Sequence, residues 1–388
     1  MTTSRPGPAS LDPASVKLAW PLAARLGEGP VWVEWERALW FVDIEGRALH
    51  RFDPGSGDRQ SFAMPGRPSF VVPVADRSLV IGMALELHRV RDGALGEPLI
   101  AIGGNRDCRT NDATVDPRGR LWFGTMDLGH SAPTGQVHVY DGHALHPAGG
   151  HCPITNGPAV NAAGTLLYHV DTLAGIIWAF DISRRDTLVD GRIFATIDPA
   201  DGKPDGVTID SQDCLWVALW GGWCVRRYAP DGELLLSVPI PCAQVTKVAF
   251  GGDALRTAFV TTARLGLSAQ QLRTQPAAGG LFAFPAPAPG LLAHAMVGRC
   301  MRRSRLWATG APAGCACSRW SPARSSTGST APASARSTPR LPTRCCARWR
   351  PGVRNTHRPM SCCAAWPARA AAWSRRRTRR VRSTLPHG

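Results

Sequence analysis

Glu28, Asn156 and Asp205 are each followed directly by a glycine, and each stands just ahead of a short run of apolar, β-favouring residues. Two carboxylates and an amide oxygen make a hard-donor set suited to Ca2+, Mg2+ or Mn2+, with Zn2+ also accommodated. Three protein ligands leave coordination positions for water and substrate, the usual condition for metal-assisted hydrolysis. Taken singly, an Asn-Gly or Asp-Gly pair marks a turn. The metal reading therefore depends on elements that would bring the three side chains to one place.

Those elements recur. Six strand–turn–strand units run from Val31-Trp32-Val33 with Leu39-Trp40-Phe41-Val42 to Val248-Ala249-Phe250 with Ala258-Phe259-Val260, and each leads into a third strand such as Ala48–Phe52 or Gln136–Tyr140. The matching positions Trp40, Leu79, Trp122, Leu167, Trp216 and Ala258 are 39, 43, 45, 49 and 42 residues apart. Short strands at this period fit the blades of a β-propeller, whereas a two-sheet sandwich leaves the constant period unexplained. The expected fold is an all-β, six-bladed β-propeller over residues 15–290, preceded by a disordered segment, 1–14. In such a ring the first strand of each blade lines the central channel, so the loops entering those strands meet at one mouth. Counting back eleven residues from the matched positions, twelve in the first repeat, gives Glu28, Pro68, Asn111, Asn156, Asp205 and Lys247. Recurrence at a shared repeat position shifts the balance from isolated turns to an axial site.

Other polar residues read as structure. Asp107, Asp112 and Asp116 are expected in loops and turns. His50, His88, His138 and His169 fall within strands, and Trp40, Trp122 and Trp216 recur at the blade period as core. Trp220 and Trp223 either border the site or pack. Lys247 either repels a cation or holds a substrate oxygen. No Gly-x-Ser-x-Gly elbow is present, which argues against a Ser-His-Asp hydrolase.

The formal charge of +16 would point to a nucleic-acid partner, but it is unevenly placed. The chain from residue 286 onward holds 20 Arg with no Lys, Asp or Glu, which leaves 25 basic and 29 acidic residues before it, a net of −4. Residues 291–388 are rich in Arg, Ala, Ser, Pro and Cys without period. That is the composition of a GC-rich frame read out of register, and this reading, or disorder, is favoured over a basic nucleic-acid-binding arm. Residues 1–15 contain no apolar signal-peptide core, and no apolar run approaches the ~18 residues of a membrane span. A cytoplasmic protein with reduced thiols and no membrane partner is expected.

Five motifs in order, Leu26-Gly27-Glu28-Gly29-Pro30-Val31-Trp32, Arg109-Thr110-Asn111-Asp112, Thr155-Asn156-Gly157, Pro204-Asp205-Gly206 and Trp220-Gly221-Gly222-Trp223, give residues 15–290 a resemblance to the regucalcin/gluconolactonase (senescence marker protein) family. The resemblance implies one divalent metal ion (Ca2+, Zn2+, Mn2+ or Mg2+) held by Glu28, Asn156 and Asp205. It implies that Arg109 and Asn111 bind sugar hydroxyls and that the substrate is a sugar lactone. In metal-assisted ester hydrolysis Asp205, as ligand or close neighbour of the cation, is placed to take a proton from the attacking water as catalytic base. A calcium-binding regulatory or scaffold propeller with little turnover is the alternative within the same family. The chain departs from the family pattern at Ala113, where a glycine is usual, and at Asp127-Leu128-Gly129, where some members carry a substrate-contacting glutamate.

Overall fold

Runs of β-branched and aromatic residues punctuated by Asp-Pro-Gly and Pro-Arg-Gly turns favour short antiparallel meanders, and six such sheets form. The computed structural model describes residues 8–298. Blade 1 spans Gly27–Val33, Ala38–Asp43, Ala48–Phe52 and Arg59–Ala63, and blades 2 to 4 repeat the four-strand pattern from Pro68 to Thr196. Blade 5 begins at Lys203–Ile209 and blade 6 at Val245–Gly251. The first strand of each blade packs against those of the two neighbouring blades, the sixth against the first, so the ring is closed. The expected six-bladed all-β propeller is the observed architecture, with one short α-helix, Ala269–Thr274, among the described residues.

Closure uses the start of the chain. The outer strand of blade 6 is Lys17–Trp20, antiparallel to Leu281–Pro285 with Lys17 opposite Ala283 and Trp20 opposite Leu281. Of the segment 1–14 expected to be disordered, residues 1–7 lie outside the described residues, and residues 8–14 are ordered. Ala9–Ser10 pairs in parallel with Leu236 and Ser237 as a fifth strand on blade 5, and the Asp12 carboxylate accepts from Ala14 N at 2.9 Å to cap a 3-10 turn.

The propeller also extends past residue 290, further than the sequence boundary. Gly290 N donates to Leu255 O at 2.9 Å, Met296 N to Pro73 O at 2.8 Å and Val297 N to Gly119 O at 2.9 Å. This segment passes from blade 6 to blades 2 and 3, and Met296 is buried. Leu291, Leu292, Ala293 and His294 cover a small axial cavity of about 110 Å3 at the far ends of the inner strands. Boundaries at 14 and 290 are thus moved outward; the remainder of the expected tail, 299–388, lies outside the described residues.

The core lies between blades. Trp216 of blade 5 meets Phe250 and Phe284 of blade 6 at ring-centroid distances of 5.6 and 6.0 Å, and Phe70 of blade 2 meets Phe123 of blade 3 at 5.9 Å. Trp40, Trp122 and Trp216 are all buried as expected, but register aligns Leu39 rather than Trp40 with Trp122 and Trp216. Trp40 points to the opposite face and stacks on Phe62. Buried hydroxyls tie blades together at the strand starts: Thr246 Oγ1 donates to Gly27 O at 2.6 Å, and Thr155 Oγ1 to Thr125 O at 2.8 Å. No described helix is long and apolar enough to cross a membrane.

Candidate active site

All six inner strands break register near their starts: between Glu28 and Val31, Pro68 and Phe70, Thr110 and Ala113, Asn156 and Ala159, Pro204 and Val207, and Val245 and Lys247. A bulge puts extra residues opposite one partner and re-aims their side chains. The polar residues sought in loops therefore sit on the strands themselves, within or at the edge of these bulges. Glu28 and Asn156 stand three residues ahead of the next paired residue, Asn111 and Asp205 two, so the shared repeat position is shared to within one residue. Gly29 and Gly157 allow the irregular backbone, with φ of 54° and 70°.

Glu28, Arg109, Asn111, Asn156 and Asp205 line one cavity of about 660 Å3 at the starts of the inner strands. Arg109 donates from one guanidinium nitrogen to Thr110 O and Asn111 Oδ1, both at 2.8 Å. Asn111 Nδ2 donates to Thr155 O at 2.8 Å and Asn156 Oδ1 at 2.9 Å, and Asn156 Nδ2 to Thr172 Oγ1 at 2.9 Å. The two amides and the arginine thus form one fixed chain along the wall. Glu28 Oε2 accepts from its neighbour Gly29 N at 3.0 Å.

Burial dominates the electrostatics. It pushes the Glu28 carboxyl up to about 8, with the Asp112 charge adding to the rise. Asp205 is raised well above the carboxylate range, first by burial and then by Glu28 and Asp112. Burial lowers Arg109 to about 10 against the pull of nearby carboxylates. Carboxylates that are costly to ionise in isolation become favourable as anions once a cation lies between them. The donor set, two carboxylates and an amide oxygen lining one cavity, fits a hard divalent ion.

Sequence reasoning missed Asp112. It is buried beside the axis, where its Oδ1 accepts from the Lys247 ammonium at 2.5 Å, while its Oδ2 has no hydrogen-bond partner. In a regular strand Asp112 would face away from the side that Asn111 faces; the bulge turns both inward. Lys247, open in two directions from sequence, is bound to Asp112. Asp127 does not line the cavity: its carboxylate accepts from Ser131 N and Ala132 N at 2.9 and 3.0 Å and holds a loop. Trp220 lines the cavity and Trp223 does not. Asp116, as expected, is a turn residue, accepting from Trp122 Nε1 at 2.9 Å and Arg120 Nε at 2.7 Å.

Residues 26–264 match the family described as SMP-30/Gluconolactonase/LRE-like region. The chain belongs to this family. Among its SMP-30/gluconolactonase relatives, a 6-deoxy-6-sulfogluconolactonase of Pseudomonas putida is 32% identical over 274 residues, covering 68% of this chain and 92% of the relative. An L-arabinolactonase of Azospirillum brasilense is 34% identical over 268 residues, covering 66% and 87%. Of the solved structures, a calcium-binding regucalcin from Agrobacterium tumefaciens superposes with a TM-score of 0.67 at 24% identity over 72% of this chain and 96% of its own, a likeness of fold.

Proposed function

We propose that the chain hydrolyses sugar lactones in this cavity, with one divalent cation held by Glu28, Asn156 and Asp205. The observation that carries the reading is the meeting of two buried carboxylates, two linked amides and a half-buried arginine in one cavity of about 660 Å3, a volume suited to a small sugar. Relatives in the same family whose names specify lactones of a sulfogluconic acid and of arabinose support the substrate class.

A bound divalent cation supplies a Lewis acid for the lactone carbonyl and for the negative charge that develops on its oxygen. Arg109, pinned to Asn111, presents its remaining guanidinium donors to ring hydroxyls, and Asn111 is held for the same surface. A site built on hydrogen bonds to several hydroxyls discriminates against substrates that lack them more strongly than apolar contact does. Asp205 takes the proton from the attacking water as the new C–O bond forms, and returns it to the ring oxygen as the ester C–O bond breaks. The product is the open hydroxy acid.

The test is acid release from glucono-, galactono-, xylono- and arabinono-lactones, with and without Ca2+, Zn2+, Mn2+ and Mg2+ after chelation. Cation-dependent turnover of at least one lactone is expected, and Asp205→Asn should lower kcat by about 10²–10⁴-fold with an unchanged circular-dichroism spectrum. Tight cation binding with no hydrolysis of any lactone would instead favour a calcium-binding regulatory propeller.

A further inference from the structure

Beneath the candidate cation ligands lies an ion pair that the reaction just described does not use. Asp112 and Lys247 are 3% and 6% exposed, so neither charge is relieved by water. Lys247 Nζ also lies 3.4 Å from Ala113 O. The pair draws together three blades. Asp112 comes from blade 3 and Lys247 from blade 6, and the Lys247 stem packs on Gly206 of blade 5. The last contact is close: a Cβ on Gly206 would lie 2.5 Å from Cβ and Cγ of Lys247. Asp112 and Gly206 are the residues that follow Asn111 and Asp205.

We infer that Asp112 and Lys247 are positioning residues that set the charge of the cation site: Lys247 cancels Asp112, so that Glu28 and Asp205 alone balance a dication. This rests on the cation reading above. Removing the Asp112 charge leaves a bare ammonium beneath a dication, while removing the Lys247 charge leaves a third carboxylate. The two single changes therefore act on cation affinity in opposite senses, and removing both restores the balance. A pair that served packing alone would weaken the site whichever partner was changed, because either single change leaves an unpaired buried charge; the opposite sense of the two single changes is what separates the readings.

Calorimetric titration of the chelated full-length protein with Ca2+ and with Mn2+ tests this, on the parent and on Asp112→Asn, Lys247→Met and the double variant, each checked for a parent-like circular-dichroism spectrum. Asp112→Asn should weaken cation binding tenfold or more, Lys247→Met should not weaken it, and the double variant should return to within about threefold of the parent; the unweakened Lys247→Met is the outcome that a merely structural pair does not give. A double variant as weak as Asp112→Asn, or a Lys247→Met variant weakened to the same degree, overturns the inference and leaves the cation site standing. Should Lys247→Met not fold, Lys247→Gln replaces it with the same expectations. Absence of cation binding in the parent refutes the cation reading and, with it, the role of the pair.

Discussion

The histidines show how a residue's chemistry is decided by where the fold puts it. His50, His138 and His169 are all buried in strands, and burial lowers each to about 4. His138 lies flat on Phe123, with ring centroids 5.2 Å apart and its Nδ1 without a partner, an environment for a neutral ring. Its folded pKa lies below the ordinary 6.5, so the unfolded chain binds the proton more readily. The neutral ring's contribution is full above about 6.5 and is lost as pH falls toward 4. A shift of this size corresponds to an upper value of about 3 kcal/mol for one group. Replacing His138 with Gln should therefore flatten the dependence of urea-unfolding free energy on pH between 7 and 4. An identical slope in parent and variant would count against the assignment. The structural reading of these histidines was available from sequence, because His50 and His138 fall on regular third strands and His169 on a regular second strand. The inward turn of Asp112 was not, because it depends on a break in that alternation.

At the scale of elements, the bulge is what turns a repeated strand into a site. Gly29 has a left-handed φ of 54°, and a Cβ there would lie 3.0 Å from Phe70 Cα in the backbone of the next blade. Gly29→Ala should cost about 1–3 kcal/mol, seen as a lower urea midpoint, and should displace Glu28 enough to weaken Mn2+ binding in the same preparation. Full stability with full Mn2+ affinity would show that the bulge tolerates a side chain. Strand number, period and the order of the polar motifs were legible because hydrophobic alternation and turn residues recur along the chain. The bulges were not. One added residue leaves composition unchanged, and only the glycines that accompany it hint at the irregular backbone. Hence Glu28, Asn111, Asn156 and Asp205 line one cavity, but from strands rather than from the loops that the sequence suggests.

For the molecule as a whole, the ring depends on two segments distant in sequence from the blades they complete. Trp20, on the strand that finishes blade 6, packs edge-on to Phe41 at 5.7 Å and next to Phe52 at 6.3 Å. Deleting residues 1–20 would expose the edge of Leu281–Pro285 and empty that cluster, so a fall in Tm of more than about 10 °C, with aggregation through the open edge, is expected in scanning calorimetry. A chain ending at Gly298 keeps both the closing strand and the segment beneath the axis; it should retain the parent's Tm and lactone turnover, whereas loss of either would assign a part to the residues beyond. The pairing of Lys17–Trp20 with Leu281–Pro285 also sets an order of events during synthesis. At about 5–20 residues per second, roughly 15–50 s separate the appearance of the two strands. Throughout that interval the unpaired edge of Lys17–Trp20 has no sheet to join, and the Trp20 ring is open to chaperones and to other nascent chains. Lys17–Trp20 leaves the ribosome long before the sheet that it completes.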